Sequence, residues 1–142
     1  MRTKELNYYI AFIIFLCNAC GFAHKEELVK NYFLIAIDTH EDMSLSYSLK
    51  DQGSFIAIVP GTVFAVGYND QFIVVKQHPR EFPKAPDRST TNYFIIPLIN
   101  RINPSEDKNV IGPLTTREFK AKSIELGIPK SLEFTKVFNE LE

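Results

Sequence analysis

The sequence is short of cysteine, glycine and net charge, and each shortage removes a class of function. Only two cysteines occur, Cys17 and Cys20, both within the first 23 residues. The chain beyond them can form no disulfide, so a domain built from it must hold together by its core. The six glycines are dispersed and make no Gly-rich loop of the kind that cradles phosphate. Neither G-x-S-x-G nor H-E-x-x-H is present. The formal net charge is -1, and setting aside Arg2, Lys4 and Glu5 takes it to -2. With no basic run to track phosphates, nucleic acid is excluded as a partner. There is no tryptophan, no internal repeat and no low-complexity segment.

What is present describes a folded chain. Its 142 residues suit one domain, and 45% hydrophobic against 23% charged is a globular balance. Twelve phenylalanines favour sheets over helices. The first 23 residues are different in kind. Arg2 and Lys4 precede the unbroken apolar run Tyr8 to Leu16, and small residues follow in Cys17-Asn18-Ala19-Cys20-Gly21. That order is the layout of a secretory signal peptide. Stretched as a helix from residue 8 to 23, the segment reaches about 24 Å, short of the roughly 30 Å hydrocarbon core. The expected division is a signal peptide over 1–19, an anchor and tether over 20–30, and one domain over 31–142.

From residue 32 on, strand signals follow in quick succession. Residues 32–37 are nearly all apolar, as in a strand buried on both faces. Met43, Leu45, Tyr47 and Leu49 alternate with Ser44, Ser46 and Ser48, which predicts one core face and one solvated face. A further strand spans 55–59 and ends at Pro60-Gly61. Residues 62–68 and 71–77 form a predicted hairpin about Asn69-Asp70, suited to a type I′ turn, with Gly67 marking a bulge. A strand over 93–99 contains Pro97, which suggests an edge position or a strand end, and 103–113 reads as irregular. Thr115 and Glu118 form a capping box with Leu114 and Phe119 at staple positions, and Gly127-Ile128-Pro129 stops that helix. Ser131 would cap a second, shorter helix with Phe134, Val137, Phe138 and Leu141 on one stripe. The expected fold class is therefore α+β: an antiparallel sheet of about five to six strands with two C-terminal helices packed on it, after a cleaved signal peptide.

Leu16-Cys17-Asn18-Ala19-Cys20 resembles a relaxed bacterial lipobox of the Bacteroidetes type, in which the cysteine after a small residue receives a diacylglyceryl group and becomes the new N-terminus. Cys17 stands where the pattern prefers Leu. Ordinary cleavage after Ala23 is the alternative, since Gly21-Phe22-Ala23 also places small residues correctly. From Asn31 onward the chain resembles a family of small bacterial lipoproteins whose domain has no assigned function. The residues that carry this are the block from Val63 to Pro79, then Asn92-Tyr93-Phe94-Ile95-Ile96, Ile111-Gly112-Pro113-Leu114-Thr115, and Leu126-Gly127-Ile128-Pro129. The resemblance implies export and lipid attachment at Cys20, and it implies no catalytic residues.

A search for chemistry leaves little. His24 reads as a solvated tether residue. His40, in Asp38-Thr39-His40-Glu41-Asp42, sits among oxygen ligands, but no second histidine lies at metal-ligand spacing, so a polar turn is expected and no metal or other cofactor. His78 stands at a strand end, where it could meet a substrate or simply bond locally. The following stretch, residues 78–91, holds Pro79, Pro83 and Pro86 among five charges and one phenylalanine. A loop of this length in a small domain is usually functional or disordered. His78, Arg80, Phe82, Lys84 and Arg88 are its candidate interaction residues: a semi-rigid loop carrying an aromatic loses less entropy on docking. The alternative is that Phe82 folds back as a hydrophobic pin.

The sequence thus predicts an uncharacterised, non-catalytic binding or accessory module, held by an N-terminal lipid to the outside of a bacterial membrane (outer membrane or periplasm-facing) and binding another envelope component or ligand. Periplasmic or secreted placement is the alternative. An immunity or inhibitor protein against a toxin or hydrolase, and a small hydrolase, are the competing functions.

Overall fold

Strand alternation and a few close backbone approaches set this fold. The computed structural model describes residues 21–49, 53–98 and 109–142. The expected signal peptide and Cys20 lie outside the described residues.

Strands β1 (His24–Val29), β2 (Tyr32–Ala36), β3 (Ser44–Leu49) and β4 (Ser54–Val59) form one antiparallel sheet in chain order. β5 (Val63–Tyr68), β6 (Phe72–Gln77), β7 (Asn92–Pro97), β8 (Ile111–Leu114) and β9 (Lys136–Val137) form a second, in the order β8-β7-β6-β5-β9. Every pairing among the described residues is antiparallel. One helix, α1 (Thr116–Glu125), and a 3-10 turn at His40–Asp42 complete the described elements.

The expectation of one sheet under two C-terminal helices is corrected: the chain is mostly β, with two sheets and, among the described residues, a single α-helix. The stripe Phe134, Val137, Phe138, Leu141 is not helical. After a turn in which Leu132 N–H donates to the Pro129 carbonyl, the chain runs along the free edge of β5. Lys136 and Val137 pair with Val66 and Ala65, and Phe138 N–H donates to the Phe64 carbonyl. A strand edge presents unpaired backbone groups, and covering it satisfies them where a helix could not. Phe138 and Leu141 still turn inward, with Leu141 buried, while Val137 faces water.

Gly67 makes that approach possible. A Cβ there would lie 2.1 Å from the Glu133 carbonyl oxygen. Its role is close passage of the C-terminal segment, not a bulge; the β5–β6 register shifts instead between Val63 and Ala65. The type I′ geometry was also expected in the wrong hairpin. The two positive-φ non-glycine residues described are Lys30 (48°) and Asn31 (67°), in the two-residue β1–β2 turn. Asn69 instead closes its turn by accepting from the Gln71 and Phe72 N–H groups through its side-chain oxygen. Of residues 24–30, expected as a tether, His24–Val29 enter the first sheet as β1 and Lys30 begins the turn after it.

The main core takes side chains from both sheets, including Tyr32, Leu34, Leu45 and Val59 from the first and Val66, Ile73, Val75 and Ile96 from the second. Each such aliphatic residue contributes roughly 1.5–3 kcal/mol by leaving water. A second cluster uses the other face of β6 and β7, where Phe72, Val74 and Ile95 meet Phe119, Leu126, Ile128 and Leu132 of the helical region. Burial on both faces explains the unbroken apolar run of β6. The capping box is present: Thr115 N–H donates to Glu118 Oε2 at 2.8 Å, and Glu118 N–H to Thr115 Oγ1 at 3.3 Å. Gly127, at φ 66°, ends α1 with Ile128 N–H donating to the Ser123 carbonyl and Gly127 N–H to that of Ile124, a Schellman arrangement. Pro97 closes β7, which is an interior strand and not an edge.

Candidate functional site

The long loop between β6 and β7 is ordered by polar contacts along its length. At its start, His78 is buried: its ring stacks on Phe64 (centroids 4.2 Å apart) and Nδ1–H donates to the Thr90 carbonyl at 2.7 Å. One histidine therefore ties the two ends of the loop together. Asp87 organises the far half. Its carboxylate accepts from Ser89 N–H and Oγ and from Thr90 Oγ1, while its own N–H donates to the Pro79 carbonyl. The Ser89 and Thr90 hydroxyls hold the Asp87 carboxyl below the usual carboxylate range. Pro86 is the buried residue of the loop's outer part.

Arg80 fastens the near half to the first sheet's connection. Its Nη1 donates to Asp42 Oδ1 at 2.7 Å, its Nη2 lies 3.9 Å from Glu41, and Nε donates to the Lys84 carbonyl at 3.0 Å. Arg88 approaches the same Glu41 at 4.0 Å, so one glutamate lies between two guanidinium groups. Burial opposes ionisation of Asp42, but the Thr39 N–H and the Arg80 guanidinium outweigh it and hold the carboxyl below its ordinary range. Asp42 itself belongs to the 3-10 turn, which Thr62 secures by donating Oγ1–H to the Glu41 carbonyl.

Phe82 stands out from this frame. It is 85% exposed, and the pin reading fails: its ring faces the Arg80 guanidinium at 6.0 Å instead of the core, while Pro86 is the residue folded in. Two hollows flank Arg80. One, of about 230 Å³, is lined by Asp42, Pro60, Gly61, Arg80 and Phe82. The other, of about 320 Å³, is lined by residues 79–81 with Lys84, Ala85 and Asp87. Lys84 is exposed and pairs with Glu81 at 2.9 Å.

Of the five predicted loop residues, then, Phe82, Lys84 and Arg88 face solvent, Arg80 is an anchor beside the hollows, and His78 is an internal support. Sequence reasoning missed Glu41 and Asp42 as parts of this site, because 38 residues separate Asp42 from Arg80. The remaining histidines meet the C-terminal segment. His40 Nδ1 lies 3.1 Å from Glu140, and His24 packs edge-on against Phe138. Ser44, Ser46 and Ser48 were expected on one solvated face, yet Ser46 is buried and shares a hydrogen bond with Ser44.

The arrangement offers a firm aromatic and cationic surface. Among the described residues, no group of three or more His, Cys, Asp or Glu could hold a metal ion, and no helix is long and apolar enough to cross a membrane. The Ser89 hydroxyl is committed to Asp87 at 2.5 Å, and His78 bonds a backbone carbonyl through Nδ1 while its buried Nε2 has no partner among the described residues, so no hydroxyl in the loop is bonded to an imidazole base.

No curated protein and no solved structure matches this chain. A family model does match, over residues 29–138, which takes in β2 to β9, the helix and the loop. The chain belongs to this family, described as a protein of unknown function, DUF3997.

Proposed function

We propose that the protein is a lipid-anchored envelope module that binds another envelope component through the 78–88 loop and performs no chemistry of its own. The observation that carries this reading is Phe82, 85% exposed on a loop fixed at both ends and in the middle. A partner that covers this aromatic would remove its apolar surface from water, a gain open to binding through the loop. A loop already held in shape loses little entropy on docking, and an aromatic beside an arginine is a frequent energetic centre of interfaces. The anchoring half of the reading rests on Ala19-Cys20 and the apolar run before it. One acyl chain binds a membrane marginally and two or more hold it, so a diacylated Cys20 would keep the domain at the surface.

Mass spectrometry of the mature N-terminal peptide tests the anchor: an acylated Cys20 is expected, and a free terminus near His24 would refute it. For binding, native membranes are solubilised and captured on wild-type protein or on Phe82→Ala. Retention of the same partner by both would reject the loop assignment.

A further inference from the structure

A separate groove runs along α1 on the outer face of the second sheet and shares no residue with the 78–88 loop. Its volume is about 540 Å³, within the roughly 300–1,000 Å³ of small-molecule sites. Val74, only 1% exposed, forms its deep end, and Phe119 and Leu132 add apolar lining. Ile124, on α1, stands at the rim and is 82% exposed.

Three polar groups belong to the same groove. Ser123 Oγ is shielded from solvent and has no hydrogen-bond partner among the described residues. Lys120 and Lys130 lie on the lining, and neither is in an ion pair with a carboxylate of the described residues, unlike Lys84, Lys122 and Lys136. An apolar channel whose lining carries two ammonium groups in no ion pair among the described residues complements a molecule with an alkyl tail and a single anionic head.

We propose that this groove binds a linear alkyl carboxylate, a free fatty acid, with the tail against Val74, Phe119 and Leu132 and the head near Lys120 and Lys130. The inference stands apart from the loop reading and does not depend on Cys20. Decanoate and the neutral 1-decanol are suitable probes, used with the full chain carrying Cys20→Ser so that no acyl group of its own competes. Calorimetry should give saturable one-to-one binding of decanoate, with amide NMR shifts concentrated at residues 74, 119–124 and 128–132. Replacing both lysines (K120A with K130A) should weaken decanoate by about tenfold or more and leave decanol unchanged, as expected for a charge contribution at a partly desolvated head. Ile124→Glu should abolish binding of both, and the circular dichroism of all variants should match wild type. Absence of saturable binding, shifts centred elsewhere, an unchanged decanoate affinity in the double variant, or association only with anionic phospholipid vesicles would each overturn the proposal.

Discussion

Arg80→Ala is the perturbation that reads the loop's attachment most clearly. Arg80 is 14% exposed at its side chain and Asp42 27%, with 2.7 Å between Nη1 and Oδ1. Fully exposed pairs contribute about 0–1 kcal/mol, and cutting one partner from a buried pair costs about 3–5 kcal/mol. This pair lies between those limits, and the substitution also frees the Lys84 carbonyl that Nε served, so a loss of about 2 kcal/mol is expected. The pH dependence follows from the sign of the Asp42 shift. Its carboxyl is held below the ordinary value in the folded state, so the unfolded chain takes up a proton first as the solution is acidified. The stabilisation is present above the unfolded value, about pH 4, and is lost as pH falls through the folded value. Urea titrations followed by far-ultraviolet circular dichroism at pH 7 and at steps below pH 5 measure both effects. R80A should lose about 2 kcal/mol at neutral pH and show a shallower acid decline than wild type. A loss under about 0.5 kcal/mol, or an unchanged acid slope, would refute the argument that this ion pair holds the loop.

Other substitutions address the frame around the site. Gly67→Ala forces a methyl group against the Glu133 carbonyl. It should cost about 3 kcal/mol and release the β9 segment, seen as faster hydrogen exchange at Lys136 and Phe138. Thr115→Ala removes the α1 cap and should cost about 1 kcal/mol by urea titration, without altering the β signal of the circular dichroism spectrum. Phe82→Ala removes no core contact and should change stability by less than about 0.5 kcal/mol while weakening partner binding by roughly tenfold or more.

Patterns that the local sequence dictates are legible in it. The cap at Thr115, the stop at Gly127 and the strand blocks around 32–36, 44–49 and 63–77 each follow from adjacent residues, and they appear within a residue or two of the expected bounds. Elements whose existence depends on a distant neighbour were not legible. β1 is the charged stretch HKEELV, and its pairing with β2 outweighs a composition that favours no strand. β8 contains Gly112 and Pro113 and forms on the edge beside β7. The C-terminal stripe has helical spacing, but the open edge of β5 and the bare Cα of Gly67 recruit it as β9. The site shows the same division. Phe82 and the proline-rich loop stand out in the sequence, whereas the Glu41–Asp42 turn that receives Arg80 and Arg88, and the inward turn of His78, arise only from tertiary contacts.

Site-specific photocrosslinking is the most direct test of binding through the loop. A benzophenone-bearing residue replaces Phe82 in the full chain, expressed in its native host, and a second version carries it at the exposed Ile37, outside both the loop and the groove, as a control surface. Irradiation should yield one discrete adduct from position 82, suppressed by excess unlabelled wild-type protein and not by excess Phe82→Ala. No adduct at 82, or an adduct that Phe82→Ala suppresses equally well, would contradict a partner bound through this loop.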